Sequence, residues 1–170
     1  MILPLLLALA GPQADADGDV LAPARQGLVR CTAPSRTRKT CASMTRYTVR
    51  PDGSFYAEVT GAASASGDIQ VRYQMQGSIV AGAACFSTDS SGLSGAVFTK
   101  PGARLAASLQ ETLRAQLASA MAPLNGKQRC YRDRIQDGTL VSRTTLDGVA
   151  HPEFDRPILW VSPEDGYKVE

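Results

Sequence analysis

Alternation of apolar and polar side chains between residues 69 and 76 is the pattern that most constrains the fold of this chain. Every second residue of the segment is apolar, and the residues between them are polar. The apolar members are Ile69, Val71, Tyr73 and Met75. This period of two is typical of a strand that buries one face, so the segment is predicted to be a half-buried strand.

Two hairpins are predicted from their turns. Pro51-Asp52-Gly53 lies between strand-like segments at residues 44–50 and 54–60, and this residue combination favours a tight turn. Asp137-Gly138 is a pair typical of type I′ hairpins, and it lies between segments at residues 129–136 and 139–146. The hairpins predict that most strand pairs in this protein are antiparallel.

Further elements complete the predicted order. An apolar run at residues 79–86 predicts a buried strand that follows a turn at Gly77-Ser78, and a last strand is predicted at residues 157–161. One helix is predicted from about residue 103 to residue 122. Its apolar stripe consists of Leu105, Leu109, Leu113, Leu117 and Met121. The expected fold class is α+β: a mainly antiparallel β-sheet built from hairpins, with one long amphipathic helix packed on one face.

The N-terminal segment predicts export. Residues 2–10 are uncharged and almost all apolar, and the small-residue pattern Ala14-Asp15-Ala16 follows them. This is typical of a signal peptide, which we expect to be cleaved from residues 1–16. The apolar run is about half of the roughly 20 residues that span a bilayer, so no transmembrane anchor is expected after cleavage. The alternative is an apolar N-terminus that is frayed or buried.

The predicted organisation has two parts after the signal peptide. Residues 17–43 are expected to form a flexible N-terminus and a basic loop between Cys31 and Cys41. Residues 44–170 are expected to form a single α+β domain, which suits a chain of this length. The mature protein is predicted to be periplasmic or extracellular.

Cysteine usage agrees with that location. The four cysteines are Cys31, Cys41, Cys85 and Cys130, and none forms a C-x-x-C motif. An even number in an exported chain favours two disulfides, with three alternative pairings. We favour Cys31–Cys41 and Cys85–Cys130, because the first closes a short loop and the second then links distant segments. Each would contribute about 2–4 kcal/mol. Buried, reduced thiols are the alternative.

A cluster of basic residues is the predicted ligand-binding site. The formal net charge of +2 is too small to indicate nucleic-acid binding, but no acidic residue occurs between Val20 and Pro51. The candidate binding residues are Arg30, Arg36, Arg38, Lys39 and Arg46. A loop closed by Cys31–Cys41 would present guanidinium groups suited to phosphates or carboxylates. The alternative is a solvated loop without a ligand.

No catalytic residue is predicted. The sequence has no G-x-S-x-G or S-x-x-K motif, and His151 is its only histidine. Ser94, His151 and Asp155 could be combined into a triad, but no spacing supports that choice. Asp133, Glu153 and Asp155 are candidate paired carboxylates, although an aromatic content of 6% argues against a sugar cleft. No metal-ligand pattern or phosphate-binding loop occurs, so no metal and no cofactor are expected.

Three functions remain open from the sequence. The favoured one is a non-enzymatic exported module that binds an envelope protein, an anionic lipid or an anionic polysaccharide. The first alternative is a small exported hydrolase that uses His151 or a carboxylate. The second is a structural subunit of an envelope assembly, with the leucine stripe or an open sheet edge as its interface.

Overall fold

Antiparallel strands dominate the regular structure of the computed structural model, which describes residues 18–64, 66–88, 91–101 and 103–170. The predicted signal peptide, residues 1–16, lies outside the described residues. In chain order the strands are β1 (Val29–Thr32), β2 (Thr40–Cys41), β3 (Ser43–Val49), β4 (Ser54–Ala62), β5 (Gln70–Val80), β6 (Ala83–Ser87), β7 (Val97–Thr99), β8 (Gln128–Gln136), β9 (Thr139–Leu146), β10 (Val149–Ala150), β11 (Arg156–Val161) and β12 (Lys168–Val169).

Eight of these strands close into a barrel. Neighbours around it follow the order β1, β3, β4, β5, β6, β8, β9, β11 and back to β1. Every one of these pairs is antiparallel. The β8–β9 hairpin closes the ring, because β8 pairs with β6 on one side while β9 pairs with β11 on the other. The result is an up-and-down barrel of eight strands.

The predicted α+β fold class is therefore wrong. The long helix, α3 (Ala107–Met121), continues into a 3₁₀ turn at Ala122–Leu124 and lies outside the barrel strands, with none of its residues fully buried. The other described α-helices are single turns, α1 (Ala22–Arg25) and α2 (Ser91–Ser94). The sheet closes on itself, so its apolar face is filled by its own side chains and needs no helix to cover it.

Helix α3 packs on the outside of the barrel instead. Leu105, Leu113 and Leu117 are half-buried against a small cluster that includes Phe98 of β7. The Gln110 side chain donates to the Phe98 carbonyl at 2.7 Å and accepts from the Phe98 N–H at 3.1 Å. These bonds satisfy the outer edge of the short strand β7, which pairs with β5.

Most of the predicted strands and the turns of the two predicted hairpins are confirmed. Segments 44–50, 54–60, 129–136, 139–146 and 157–161 correspond to β3, β4, β8, β9 and β11. At the second hairpin turn, Asp137 and Gly138 have φ of 48° and 73°, as a type I′ turn requires. The predicted turn at Gly77-Ser78 is wrong, because β5 continues to Val80 and turns at Ala81-Gly82.

Helix α1 closes one end of the barrel. Leu21 is fully buried and packs in one cluster with Tyr47 and Phe55 of the barrel interior. The Val20 N–H donates to the carbonyl oxygen of Gly82, in the turn between β5 and β6, at 3.2 Å. Both α1 and β1 fall within residues 17–43, for which the sequence predicts a flexible N-terminus and a basic loop.

Gly77 lies at the closest approach of three barrel strands. A Cβ atom at this position would lie 2.5 Å from Cζ of Phe55 and still closer to the carbonyl oxygen of Cys85. Neither group can move away easily, since Phe55 is 2% exposed in the core and the carbonyl belongs to β6. The absence of a side chain therefore lets β5 pass over Phe55.

Substituting Gly77→Ala should lower the free energy of unfolding by about 1–3 kcal/mol, because overpacking forces the ring and the strand apart. Urea denaturation of the oxidised protein measures the effect. Gly95→Ala is the matched control, since a Cβ at that exposed position meets no atom within 4 Å. Equal stability of the two variants would show that the strands are not packed this closely around Gly77.

Candidate functional site

Strand β8 supplies a row of polar and aromatic side chains to the barrel interior. Arg129, Tyr131 and Asp133 alternate along the strand and lie opposite Leu146, Thr144 and Ser142 of β9. The alternation places these side chains on one face, which the closed sheet turns inward. On the other side of β8, Arg129 lies opposite Phe86 and Tyr131 lies opposite Ala84 of β6.

Asp133 forms a buried ion pair with Arg30 of β1. The Nη2 of Arg30 lies 3.3 Å from Oδ1 of Asp133, and each side chain is 9% exposed. The guanidinium also stacks over the Tyr131 ring, with its Cζ atom 4.3 Å from the ring centroid. The Tyr131 hydroxyl is hydrogen-bonded to the hydroxyl of Tyr47. Burial raises the pKa of Asp133 above its usual value, and the Arg30 charge and hydrogen bonds from Trp160 and Ser142 oppose that shift.

Arg129 has no such partner among the described residues. Its Cζ atom lies 5.9 Å from the centroid of the Phe86 ring and 5.6 Å from that of the Phe154 ring. Within the described residues it forms no ion pair, and its buried Nε has no hydrogen-bond partner. Burial lowers the pKa of the Arg129 guanidinium, although an arginine stays protonated at neutral pH. Arg129 is therefore a partly desolvated cation whose charge no carboxylate of the described residues neutralises.

A cavity beside Arg129 opens through the barrel wall. Strands β5 and β6 pair only between Ser78–Val80 and Ala83–Cys85, and beyond these residues they diverge. The cavity at this gap has a volume of about 580 Å³. Its apolar walls come from Tyr73, Met75, Phe86, Leu93 and Met121, and its polar groups include Gln74, Gln76, Thr88 and Arg129.

Thr88 brings a second unused donor to this cavity. The residue follows β6 directly, and its N–H donates to the carbonyl oxygen of Lys127 at 3.0 Å, which holds it beside the start of β8. Thr88 is 5% exposed, and its hydroxyl has no hydrogen-bond partner among the described residues. Buried polar groups are rarely left without partners. Of the four such atoms among the described residues, two belong to Thr88 and Arg129, which line this cavity, and the other two are Nε of Arg30 and Oδ2 of Asp133.

The structure separates the five predicted binding residues. Arg30 is buried in the barrel and paired with Asp133, whereas Arg46 is exposed on the outer face of β3. Arg36, Arg38 and Lys39 share the exposed loop before β2. Arg38 lies 3.7 Å from Glu170, and Lys39 donates to the carbonyl oxygen of Asp165 at 2.9 Å. The binding role of this loop stays a prediction.

Both favoured disulfides are present. Cys31–Cys41 holds the basic loop against β1, and Cys85–Cys130 joins β6 to β8 at directly opposed positions. Neighbouring residues on these two strands face the interior, so Cys85 and Cys130 lie on the other face of the sheet. The second disulfide therefore fixes β6 and β8 together where they carry Phe86 and Arg129.

The residues considered for hydrolysis lie elsewhere. Nδ1 of His151 is 2.8 Å from Oε1 of Glu153, and both belong to the turn after β10. Asp155 accepts from Arg143 at 2.6 Å and from the Thr144 N–H at 2.8 Å. The part of the chain that the structure describes contains no group of three or more potential metal ligands. The hydrolase remains an untested alternative.

Comparisons with protein-family profiles, curated proteins and solved structures find no match to this chain. Among the described residues, no helix has the length and apolar character needed to cross a membrane. A function has therefore to be derived from the side chains that line the barrel.

Sequence reasoning missed Arg129, Thr88 and the cavity. Arg129 belongs to a run of basic residues that predicts a strand with cross-strand partners. No local pattern shows that the Arg129 side chain points into the barrel. The useful signal is the spacing of Arg129, Tyr131 and Asp133, which places two charged residues and an aromatic ring on one strand face.

Replacing Asp133 with Asn should lower the free energy of unfolding by about 3–5 kcal/mol, because Arg30 would remain buried without a countercharge. Chemical denaturation of the oxidised protein gives this value. Glu170→Gln removes the carboxylate of the exposed Arg38 pair and should cost at most about 1 kcal/mol. Similar losses in both variants would mean that the Arg30–Asp133 pair is not buried in solution.

Proposed function

We propose that this chain is an exported, non-enzymatic binding protein that holds a small amphiphilic ligand in the cavity between β5 and β6. The carrying observation is that the cavity is lined by Arg129 and Thr88, whose buried Nε and hydroxyl have no partner among the described residues, together with a mixture of apolar and polar side chains. Its volume of about 580 Å³ is within the range of small-molecule sites. A ligand of mixed character would satisfy the donors and cover the walls.

The barrel supports this proposal because its rigid parts surround the opening. The Cys85–Cys130 disulfide fixes one rim, and the turn at Ala81-Gly82 joins β5 to β6 at the closed end of the gap. A site held in its binding geometry before the ligand arrives loses less entropy on binding. Arg129 thus stands on a strand, and Thr88 follows directly after one.

Export is the second part of the proposal. Two disulfides suit a protein that works in an oxidising compartment, and the proposed location is the periplasm or the extracellular space. The envelope remains the proposed source of the ligand or partner. Binding of the ligand at the basic loop is the less favoured form of the proposal, because Arg38 pairs with Glu170 and Lys39 donates to the carbonyl oxygen of Asp165.

Mass spectrometry of the untagged protein recovered from its host tests export. We expect a chain that begins near Asp17 and is four hydrogens lighter than its reduced form, as cleavage and two disulfides require. An intact Met1 with four reduced thiols would contradict both the location and the oxidised scaffold.

A bulky residue at the opening should abolish ligand binding. Gln76 lines the cavity from the exposed face of β5, so Gln76→Trp should block entry while leaving the core unchanged. Isothermal titration calorimetry with decanol and decanoate measures binding to each variant. Gln26→Trp is the matched control, because Gln26 is exposed at the end of α1 and does not line the cavity.

The proposal requires that at least one of the two probes binds the wild type and the Gln26→Trp control but not Gln76→Trp. If neither probe binds the wild type, or if Gln76→Trp binds as tightly as the control, the cavity is not a ligand site for an amphiphile.

A further inference from the structure

We infer that the ligand carries a single carboxylate, bound by Arg129 and Thr88, on an apolar body that lies against the cavity walls. This assignment rests on the proposed function and specifies which ligand the cavity takes. It is derived from the charges of the barrel interior, the two unused donors and the character of the walls around them.

The buried charges of the interior do not balance. Among the described residues, the charged side chains that the barrel buries wholly or in part are Arg30, Arg129 and Asp133. Asp133 neutralises Arg30 across 3.3 Å, so one positive charge, that of Arg129, remains. Arg156 adds to the positive potential at Arg129, although Arg156 itself is exposed. A partly desolvated cation is stabilised when an anion pairs with it, so the matching partner for Arg129 is a group of charge −1.

The donors match the shape of a carboxylate. The guanidinium offers Nε–H and its terminal N–H groups in a fixed plane, which suits two oxygens side by side. Thr88 lies diagonally across β6 and β8 from Arg129, since Phe86 is opposite Arg129 and the Thr88 N–H bonds to Lys127. Its hydroxyl can donate to the same anion. One guanidinium and one hydroxyl balance a singly charged carboxylate better than a doubly charged phosphate.

The walls determine the rest of the ligand. Phe86 and Phe154 enclose the guanidinium on two sides, and Leu93 and Met121 extend the apolar surface from outside the barrel. Methionine and leucine side chains accommodate flexible apolar groups and offer them no hydrogen bonds. A ligand with its anion at Arg129 would therefore place a hydrocarbon chain or ring along Leu93 and Met121.

The test compares three probes with the same ten-carbon chain: decanoate, decanol and decyltrimethylammonium. Isothermal titration calorimetry at pH 7 and low salt should show that the wild type binds decanoate at least about tenfold more tightly than decanol. The cationic probe should bind more weakly than decanol, because its charge would face Arg129.

Two variants then assign the donors. Arg129→Met keeps the length and removes the charge, so it should weaken decanoate binding about tenfold to a hundredfold and leave decanol binding unchanged. Thr88→Val removes the hydroxyl and should weaken decanoate binding about threefold to tenfold. Arg132→Met is the control on the same strand, since Arg132 points outward and donates to the Ala81 carbonyl.

Stability separates binding from a structural role. Each of the two variants removes a buried polar group without a partner, so the unliganded protein should unfold at the same or a higher urea concentration than the wild type. A structural role would predict the reverse, a loss of stability together with weaker binding of decanol and decanoate alike.

Equal affinities of the wild type for decanoate and decanol would overturn the carboxylate assignment. The proposed function would survive that result if Gln76→Trp still blocked both probes. Failure of every probe to bind the wild type would overturn the proposed function and the assignment together.

Discussion

Closure of the sheet is the constraint on which the rest of this structure depends. The β8–β9 hairpin pairs with β6 on one side and with β11 on the other, so every strand of the ring has a neighbour on both sides, with a gap between β5 and β6. Once the ring is closed, each strand has one face that cannot reach solvent. The inward positions then become a core whatever their polarity, and the interior has to satisfy the charges it contains.

The barrel satisfies only part of that requirement. Arg30 and Asp133 neutralise each other, and the hydroxyls of Tyr47 and Tyr131 bond beside them. Arg129 on the same strand face has two aromatic rings for neighbours and pairs with no carboxylate in the part of the chain that the structure describes. An ion-paired group, in which Nε of Arg30 and Oδ2 of Asp133 still lack hydrogen-bond partners, therefore lies next to a cation that has no carboxylate partner among the described residues. The first stabilises a particular packing, and the second costs stability that a ligand could restore.

The gap between β5 and β6 makes Arg129 accessible. Both strands belong to the ring, yet β5 pairs with β6 only through residues 78–80. Nearer its start, at residues 70–72, β5 pairs with β7 instead. Gly77 lets β5 pass close to Phe55 at this point. The divergence leaves an opening in the wall instead of at an end of the barrel, one end of which α1 closes. The position of the cavity thus follows from the same strand pairing that closes the sheet.

Local features of the fold were predictable because their causes are local. Asp137-Gly138 specifies its hairpin through backbone conformation, and the alternation in β5 shows which of its faces is buried. The turn at Ala81-Gly82 is not predictable from the sequence because an alanine at φ 47° has no sequence signature, and Gly77 predicts an earlier turn. The helix was predicted at nearly its true position, but its stripe covers a small outer cluster and not the sheet.

The sequence by itself determined most of the long strands, the turns at Asp52-Gly53 and Asp137-Gly138 and the cysteines available for pairing, since these depend on residues close together along the chain. Only the tertiary structure decided that the sheet closes, that Arg30 meets Asp133 across 103 positions, and that Arg129 and Thr88 face one cavity. Alternation shows that a strand has a buried face, but the same alternation occurs in an open sheet and in a barrel. Which strands become neighbours, and so which charges find partners, depends on contacts between residues far apart in the chain.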